Sequence, residues 1–333
     1  MTPAETTPRP FTFGMQLTGA PDRASWLDLA RRAEALGYDS VWLTHGVGRD
    51  GFLALSAYAH ATKRIGLGTG VIPIYPRHPL AMAQEASTLM ELSGGRLRLG
   101  IGLSHRPAMV DAFGLDMGEP LAVMREYVAV LQQALHGQAA FEGRYYRVRW
   151  TSAFRAPAPP VLLAGLAPPM LELAGEISDG VVLWLATPAY VRDVAVPALA
   201  RGRARAGKAL EGFEIVAAVP LAVTQDHAGA TRLFREELVR YLSLPFYRTM
   251  FRASGFGDAL AAFDRDRKEW GPGGDADAVP AELADALGAI GDARRARAEV
   301  ERYREAGVTL PVVRPIGSPE AAHARATLEA TAP

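Results

Sequence analysis

The sequence predicts an α/β protein, a (β/α)8 TIM barrel with insertions. Three observations predict it. Apolar strand-like runs alternate with helix-patterned segments from residue 11 onward, eight such runs can be counted, and 333 residues suit one barrel carrying insertions. Repeated βα units imply a parallel sheet with right-handed crossovers. Eight of them fit a closed barrel, which takes about 250 residues or more, better than an open doubly wound sheet.

The elements follow in order. FTFGMQL (11–17) reads as the first strand and SWLDLARRAEALG (25–37) as the first helix, stopped by Gly37. YDSVWLTH (38–45) is the second strand and FLALSAYAHAT (52–62) the second helix. The third strand, about 65–71, lies in RIGLGTGVIPIYPRHP (64–79), an apolar run interrupted by Gly66, Gly68 and Gly70. Glycine weakens a strand unless a bulge forms or something approaches the backbone closely. HPLAMAQEASTLMELSGG (78–95) is a helix with Pro79 in its first turn and Gly94 past its end, and His78 reads as its cap.

RLRLGIGL (96–103) is the fourth strand and EPLAVMREYVAVLQQALHG (119–137) the helix after it. FEGRYYRVRW, within an excursion over 138–158, suggests a short hairpin. PPVLLAG (159–165), DGVVLWL (179–185), FEIVAAVPLAV (213–223) and VTLPVVRP (308–315) complete the strands, with helices at 168–178, near 188–207, at 293–307 and at about 319–330. Between the last two strands, helices are expected at 228–242 and 280–289, with an extended loop between them. The organisation expected is a disordered lead-in over 1–10, then one barrel domain over 11–333 with insertions near 138–158 and 225–290.

Composition narrows the function. Lys+Arg and Asp+Glu balance at 36 each, so no electrostatic footprint for nucleic acid or an anionic membrane exists. No cysteine occurs, which rules out disulfides, cysteine nucleophiles and thiolate metal sites. No apolar run approaches the roughly 20 residues of a membrane span. A cytoplasmic protein is expected. The Rossmann G-x-G-x-x-G, the P-loop, G-x-S-x-G and H-E-x-x-H are all missing, and the seven histidines lack metal-ligand spacing.

In such a barrel, functional residues sit where strands end. Four consecutive ends are unusual: Gly14-Met15-Gln16, Thr44-His45-Gly46, Gly70-Val71-Ile72-Pro73 and Gly102-Leu103-Ser104-His105. Jointly they suggest one ligand-lined mouth. His45 and His105 fall just past strand ends, where an imidazole can move a proton near neutral pH; each reads equally as a hydrogen-bonded loop histidine.

These residues resemble a family. AEALGYDSVWLTH (33–45), GTGVIPIYPRHP (68–79), LSGGRLRLGIGLSHRP (92–107), MREYVAVLQQALHG (124–137) and PPVLLAGLAPPMLELAGEISDGVVLW (159–184) resemble, in order, the luciferase-like (bacterial luciferase) superfamily of flavin- and deazaflavin-dependent oxidoreductases. The third and fifth segments look most like the branch using coenzyme F420, a deazaflavin; FMN is the alternative cofactor.

The resemblance implies a bulge at the end of the third strand, with a non-prolyl cis bond at Gly70–Val71 behind one face of the ring. It places Thr44, His45, Thr69, Gly70, Val71, Gly102, Ser104 and His105 at the cofactor. Many deazaflavin members carry Asp where Thr44 stands. Ala164, Gly165, Leu166 and Ala167 align with the loop whose backbone amides receive phosphate.

The resemblance implies hydride transfer between the deazaflavin C5 and a small organic substrate, and the aromatic stretch within 225–275 suggests an apolar one, such as an unsaturated or imine-containing molecule. His45, then His105, are the catalytic candidates. Met15, Gln16, Trp42, Phe246, Tyr247, Met250 and Phe251, with Trp270 in the same aromatic stretch, are the substrate-side candidates. An FMN-dependent monooxygenase and a non-catalytic flavin-binding or partner protein are the alternatives. No metal is expected, and a homodimer is.

Overall fold

The computed structural model describes residues 12–16, 23–46, 48–266, 275–317 and 322–333, with the side chains of 12–16, 23, 322 and 323 left aside. The lead-in over 1–10 and Trp270 lie outside the described residues.

Eight parallel strands close on themselves. They are β1 (Thr12–Gln16), β2 (Ser40–Thr44), β3 (Gly66–Thr69), β4 (Leu97–Gly102), β5 (Val161–Ala164), β6 (Gly180–Trp184), β7 (Glu214–Val223) and β8 (Leu310–Pro315). Each pairs with the next, and β8 returns to β1 through Thr12↔Val312 and Phe13↔Val313. The expected barrel is therefore the observed one. All eight strand positions read from the sequence coincide with these.

The surrounding helices are α1 (Arg23–Ala35), α2 (Gly51–Ala61), α3 (Pro79–Ser93), α4 (Pro120–Leu135), α5 (Pro168–Ile177), α6 (Val196–Arg205), α7 (His227–Leu242), α8 (Pro245–Ala253), α9 (Gly257–Asp266), α10 (Ala281–Leu287), α11 (Ala293–Glu305) and α12 (Ala322–Ala330). Local chemistry sets their ends. His78 Nδ1 accepts the Leu80 N–H at 3.3 Å, Pro79 opens α3, and Gly94 closes it at φ 66°. Among the described residues no helix is long and apolar enough to cross a membrane, and no acidic or histidine cluster is arranged to hold a metal ion.

Two expectations need correction. The stretch between α7 and α10 is not an extended loop, because α8 and α9 occupy most of its described part. Tyr247, Met250 and Phe251, spaced i, i+3, i+4, are buried on one face of α8 and give that short helix its reason to form. The helix near 188–207 is also divided. A wide π-type turn over Val191–Ala195 precedes α6, since Pro197 has no N–H to continue the ladder. The expected hairpin pairs Gln138–Glu142 with Arg147–Thr151 outside the barrel.

Alternation along each strand sends one set of side chains into the lumen. Trp42, Leu162, Val216, Leu310 and Val312 pack together there, with Val182 against them. At the strands' N-terminal ends Arg98 reaches Glu214 at 3.2 Å and Asp39 at 3.4 Å, an ion-pair plug below this layer. The C-terminal end is different: Thr44, Gly70, Ala164, Trp184 and Ala218 remain partly exposed. Helices cover the strands' outer face, so inward residues touched by solvent at one end mark an open mouth.

Candidate active site

The glycines of β3 and β4 explain the shape of this mouth. From Gly68↔Arg98 to Ile72↔Ile101 the chain advances four residues on one side and three on the other, so one extra residue bulges out at 69–71. Within this bulge the Gly70–Val71 peptide bond is cis. Three hydrogen bonds pin it: Gly70 N–H donates to Leu43 O at 2.7 Å, Thr44 Oγ1 to Gly70 O at 2.9 Å, and Ile74 N–H to Gly102 O at 3.0 Å. Thr69, wholly buried, both donates to Gly100 O and accepts from Gly100 N–H at 2.7 Å. Thr44 thus binds the bulge itself.

Each glycine admits a different neighbour. A Cβ on Gly68 would lie 2.3 Å from the Trp42 indole, and one on Gly66 2.9 Å from Arg98. A Cβ on Gly100 would lie 2.0 Å from Thr69 O, and one on Gly102 2.8 Å from Val71 Cγ2 and 3.0 Å from Ala164 Cβ. Most of these glycines therefore serve packing within the barrel. Gly70 alone faces room, with nothing closer to its missing side chain than Trp42 at 3.9 Å. Val71 projects across Gly100 and Gly102, giving the bulge an apolar surface.

His45 follows β2 directly, half-buried beside the bulge. Its Nδ1 accepts the Gly51 N–H at 3.0 Å, so the proton of the neutral ring sits on Nε2. Burial first, and then the charge of Arg77, push its pKa below the ordinary histidine value, against the pull of Asp50. His105 lies beyond β4, its ring 5.8 Å from that of Tyr247 and 6.3 Å from that of Tyr241. Burial and Arg240 lower its pKa too. Ser104 before it takes φ 62°, a left-handed conformation uncommon outside glycine.

The loop expected to receive phosphate is less complete. Ala164-Gly165-Leu166-Ala167 joins β5 to α5, and Tyr190 OH ties Leu166 O in place. However, α5 begins Pro168-Pro169, which carry no N–H, while the Met170 and Leu171 N–H groups already donate to Ala167 O at 3.0 Å. An anion there has only the loop's own amides.

The substrate-side candidates separate. The backbone of Met15 and Gln16 pairs with Leu43 and Thr44 at the end of β1, and their side chains lie outside the described residues. Trp42, 3% exposed and donating to Ser40 Oγ at 2.9 Å, forms the lumen floor and not an open wall, because Gly68 lets its indole lie flat across β3. Tyr247 reaches the mouth through His105, and Met250 and Phe251 are buried behind it. Phe246, by contrast, is 65% exposed in the first turn of α8 and is not packed with them.

Of the other half of the mouth, sequence reasoning named Tyr247 and missed the rest. Arg314 at the end of β8 forms a bidentate ion pair with Glu237 of α7, at 2.8 and 2.6 Å, and lies 4.9 Å over the Trp184 ring. Tyr241 stacks edge-on against Trp184 and Tyr247. A signal existed for Arg314, the one charge in the otherwise apolar LPVVRP. None existed for its partner 77 residues away.

Comparison with known proteins places this site in a family. The profile of the luciferase-like monooxygenase family matches residues 9–310. A putative coenzyme F420-dependent oxidoreductase of Mycobacterium tuberculosis is 30% identical over 334 aligned positions, covering 90% of this chain and 94% of that protein. The F420-dependent tetrahydromethanopterin reductase of Methanopyrus kandleri superposes with TM-score 0.76 at 23% identity, over 97% of both chains. The oxygenating part of a Pseudomonas putida diketocamphane monooxygenase, in complex with FMN, superposes at 0.70 and 18% identity over 97% of both chains. The bulged third strand, the barrel around it and the matched length make the chain a member of the luciferase-like monooxygenase family.

Proposed function

We propose that the protein is an F420-dependent oxidoreductase acting on a small organic substrate. The observation that carries this reading is the mouth itself: a half-exposed backbone bulge at Gly70–Val71, faced by small residues and flanked by two neutral-leaning histidines. The residues fit a planar heterocycle. Any side chain on Gly102 would collide with Val71 and Ala164, so this wall stays flat. Thr44, Gly70, Val71, Gly102 and Ser104 would hold the ring, and the 164–167 loop its phosphate, through few amides. Bound in reduced form, the deazaflavin supplies a hydride from C5.

The chain's own part is to position the reactants and to hydrogen-bond the reacting substrate atom. The bulge shields one side of the pocket and leaves the other for substrate. His45, with its proton on Nε2 and its Nδ1 lone pair held by the Gly51 N–H, donates a hydrogen bond to the substrate atom that gains or loses a proton. His105, packed on Tyr247, faces the side built by α7 and α8. The relative named an F420-dependent oxidoreductase supports this branch. The FMN-bound neighbour favours the second reading, a flavin monooxygenase.

The test is a side-by-side titration of the purified protein with F420 and FMN, followed by absorbance and by turnover on unsaturated and imine substrates. F420 should bind, and His45→Asn should lower turnover far more than F420 affinity. Binding of FMN alone would hand the protein to the second reading. Binding of neither would leave a barrel without redox function.

A further inference from the structure

The first turn of α2 and the loop before α3 form a charged network around His45 that the proposed chemistry does not itself use. Asp50 caps α2, its Oδ1 accepting the Leu53 N–H at 3.0 Å. Its Oδ2 lies 3.8 Å from His45 Nδ1 and is engaged by Arg77 Nη2. Arg77, mostly buried, also donates through Nε to Glu85 Oε2 at 3.2 Å, and Tyr127 OH donates to its carbonyl at 3.1 Å. Gly51 brings its N–H to His45 Nδ1; a Cβ there would stand 2.8 Å from Ile72 Cδ1.

Two states of His45 compete. Accepting an N–H at the positive end of α2 requires a lone pair on Nδ1 and disfavours the imidazolium. A free carboxylate 3.8 Å away would do the reverse and draw a proton onto Nδ1. Arg77 decides between them by occupying Asp50.

We propose that Arg77 is a positioning residue, which ties Asp50 away from His45 and so keeps the imidazole neutral with its proton on Nε2. This role rests on the oxidoreductase reading, in which His45 Nε2–H faces the reacting substrate atom. The groups facing His45 in the described structure are Asp50 and Arg77, with Glu85 behind the latter.

The test is a pH titration of the His45 ring nitrogens by ¹⁵N NMR on the cofactor-free protein, which reads tautomer and midpoint whatever the fate of the cofactor titration. The native ring should carry its proton on Nε2, with a midpoint below that of an ordinary histidine. Arg77→Gln should raise the midpoint by about one pH unit, a tenfold change in protonation, and weaken the Nε2–H preference. Arg77→Lys, which keeps the charge, should stay near native. Asp50→Asn, which preserves a good helix cap, should move the midpoint the other way and remains informative even if Arg77→Gln folds poorly. Arg77→Gln without a shift, or both substitutions moving the midpoint in one direction, would overturn the proposal.

Discussion

The two halves of the barrel mouth are built on opposite principles. The half formed by β2, β3 and β4 is made of absences: Gly68, Gly100 and Gly102 remove side chains so that Trp42, the bulge and Val71 can occupy the space, and Gly70 leaves its own side open. The half formed by β6, β8, α7 and α8 is made of large groups, Trp184, Arg314, Glu237, Tyr241 and Tyr247, each held by a neighbour. The first half creates a flat surface whose tolerance is steric. The second fills a wall whose tolerance is electrostatic. A ligand lodged between them meets shape on one side and chemistry on the other.

Substitutions should break the halves in different ways. The largest effect is expected from Glu237→Ala. It removes the carboxylate of a bidentate pair with Arg314, only 8% exposed at its side chain, and should cost roughly 3–5 kcal/mol in denaturant unfolding. An unchanged midpoint would mean that the pair is solvated. Gly100→Ala comes next. Its methyl would meet the Thr69 carbonyl, backbone that cannot swing aside, so a loss of roughly 1–3 kcal/mol is expected, with weakened binding of the ring. Native stability and native cofactor affinity together would show that the bulge yields. The smallest effect belongs to Phe246→Ser, exposed in the first turn of α8: stability should stay within about 0.5 kcal/mol and turnover should hold. A large loss of turnover would return Phe246 to the site.

The steric half was legible in the sequence and the electrostatic half was not. GTGVIPIYPRHP marks an interrupted strand by composition alone, and the register then places its extra residue at 69–71. Even so, the reason for each glycine was hidden, since Gly68 answers to Trp42 from a neighbouring strand and Gly100 to Thr69. The aromatic run after residue 244 was visible, yet Phe246 and Tyr247 were read as equivalent. Only the packing of α8 leaves the one in solvent, in the helix's first turn, and sets the other against His105. His45 could be singled out at a strand end, whereas its dependence on Asp50 and Arg77 rests on loops that meet across the fold.

By itself the sequence determined the alternation of eight strands with helices, the closed barrel that such units build, and the glycines that keep one stretch of backbone bare. Those are properties of neighbours along the chain, where period and residue size act directly. The tertiary structure alone decided which glycine faces open space, which histidine nitrogen carries the proton, and that Arg314 and Glu237 meet. The last depends on residues 77 positions apart sharing a few ångströms, the first two on how a bulge and a turn are set in space, and no local period carries that information.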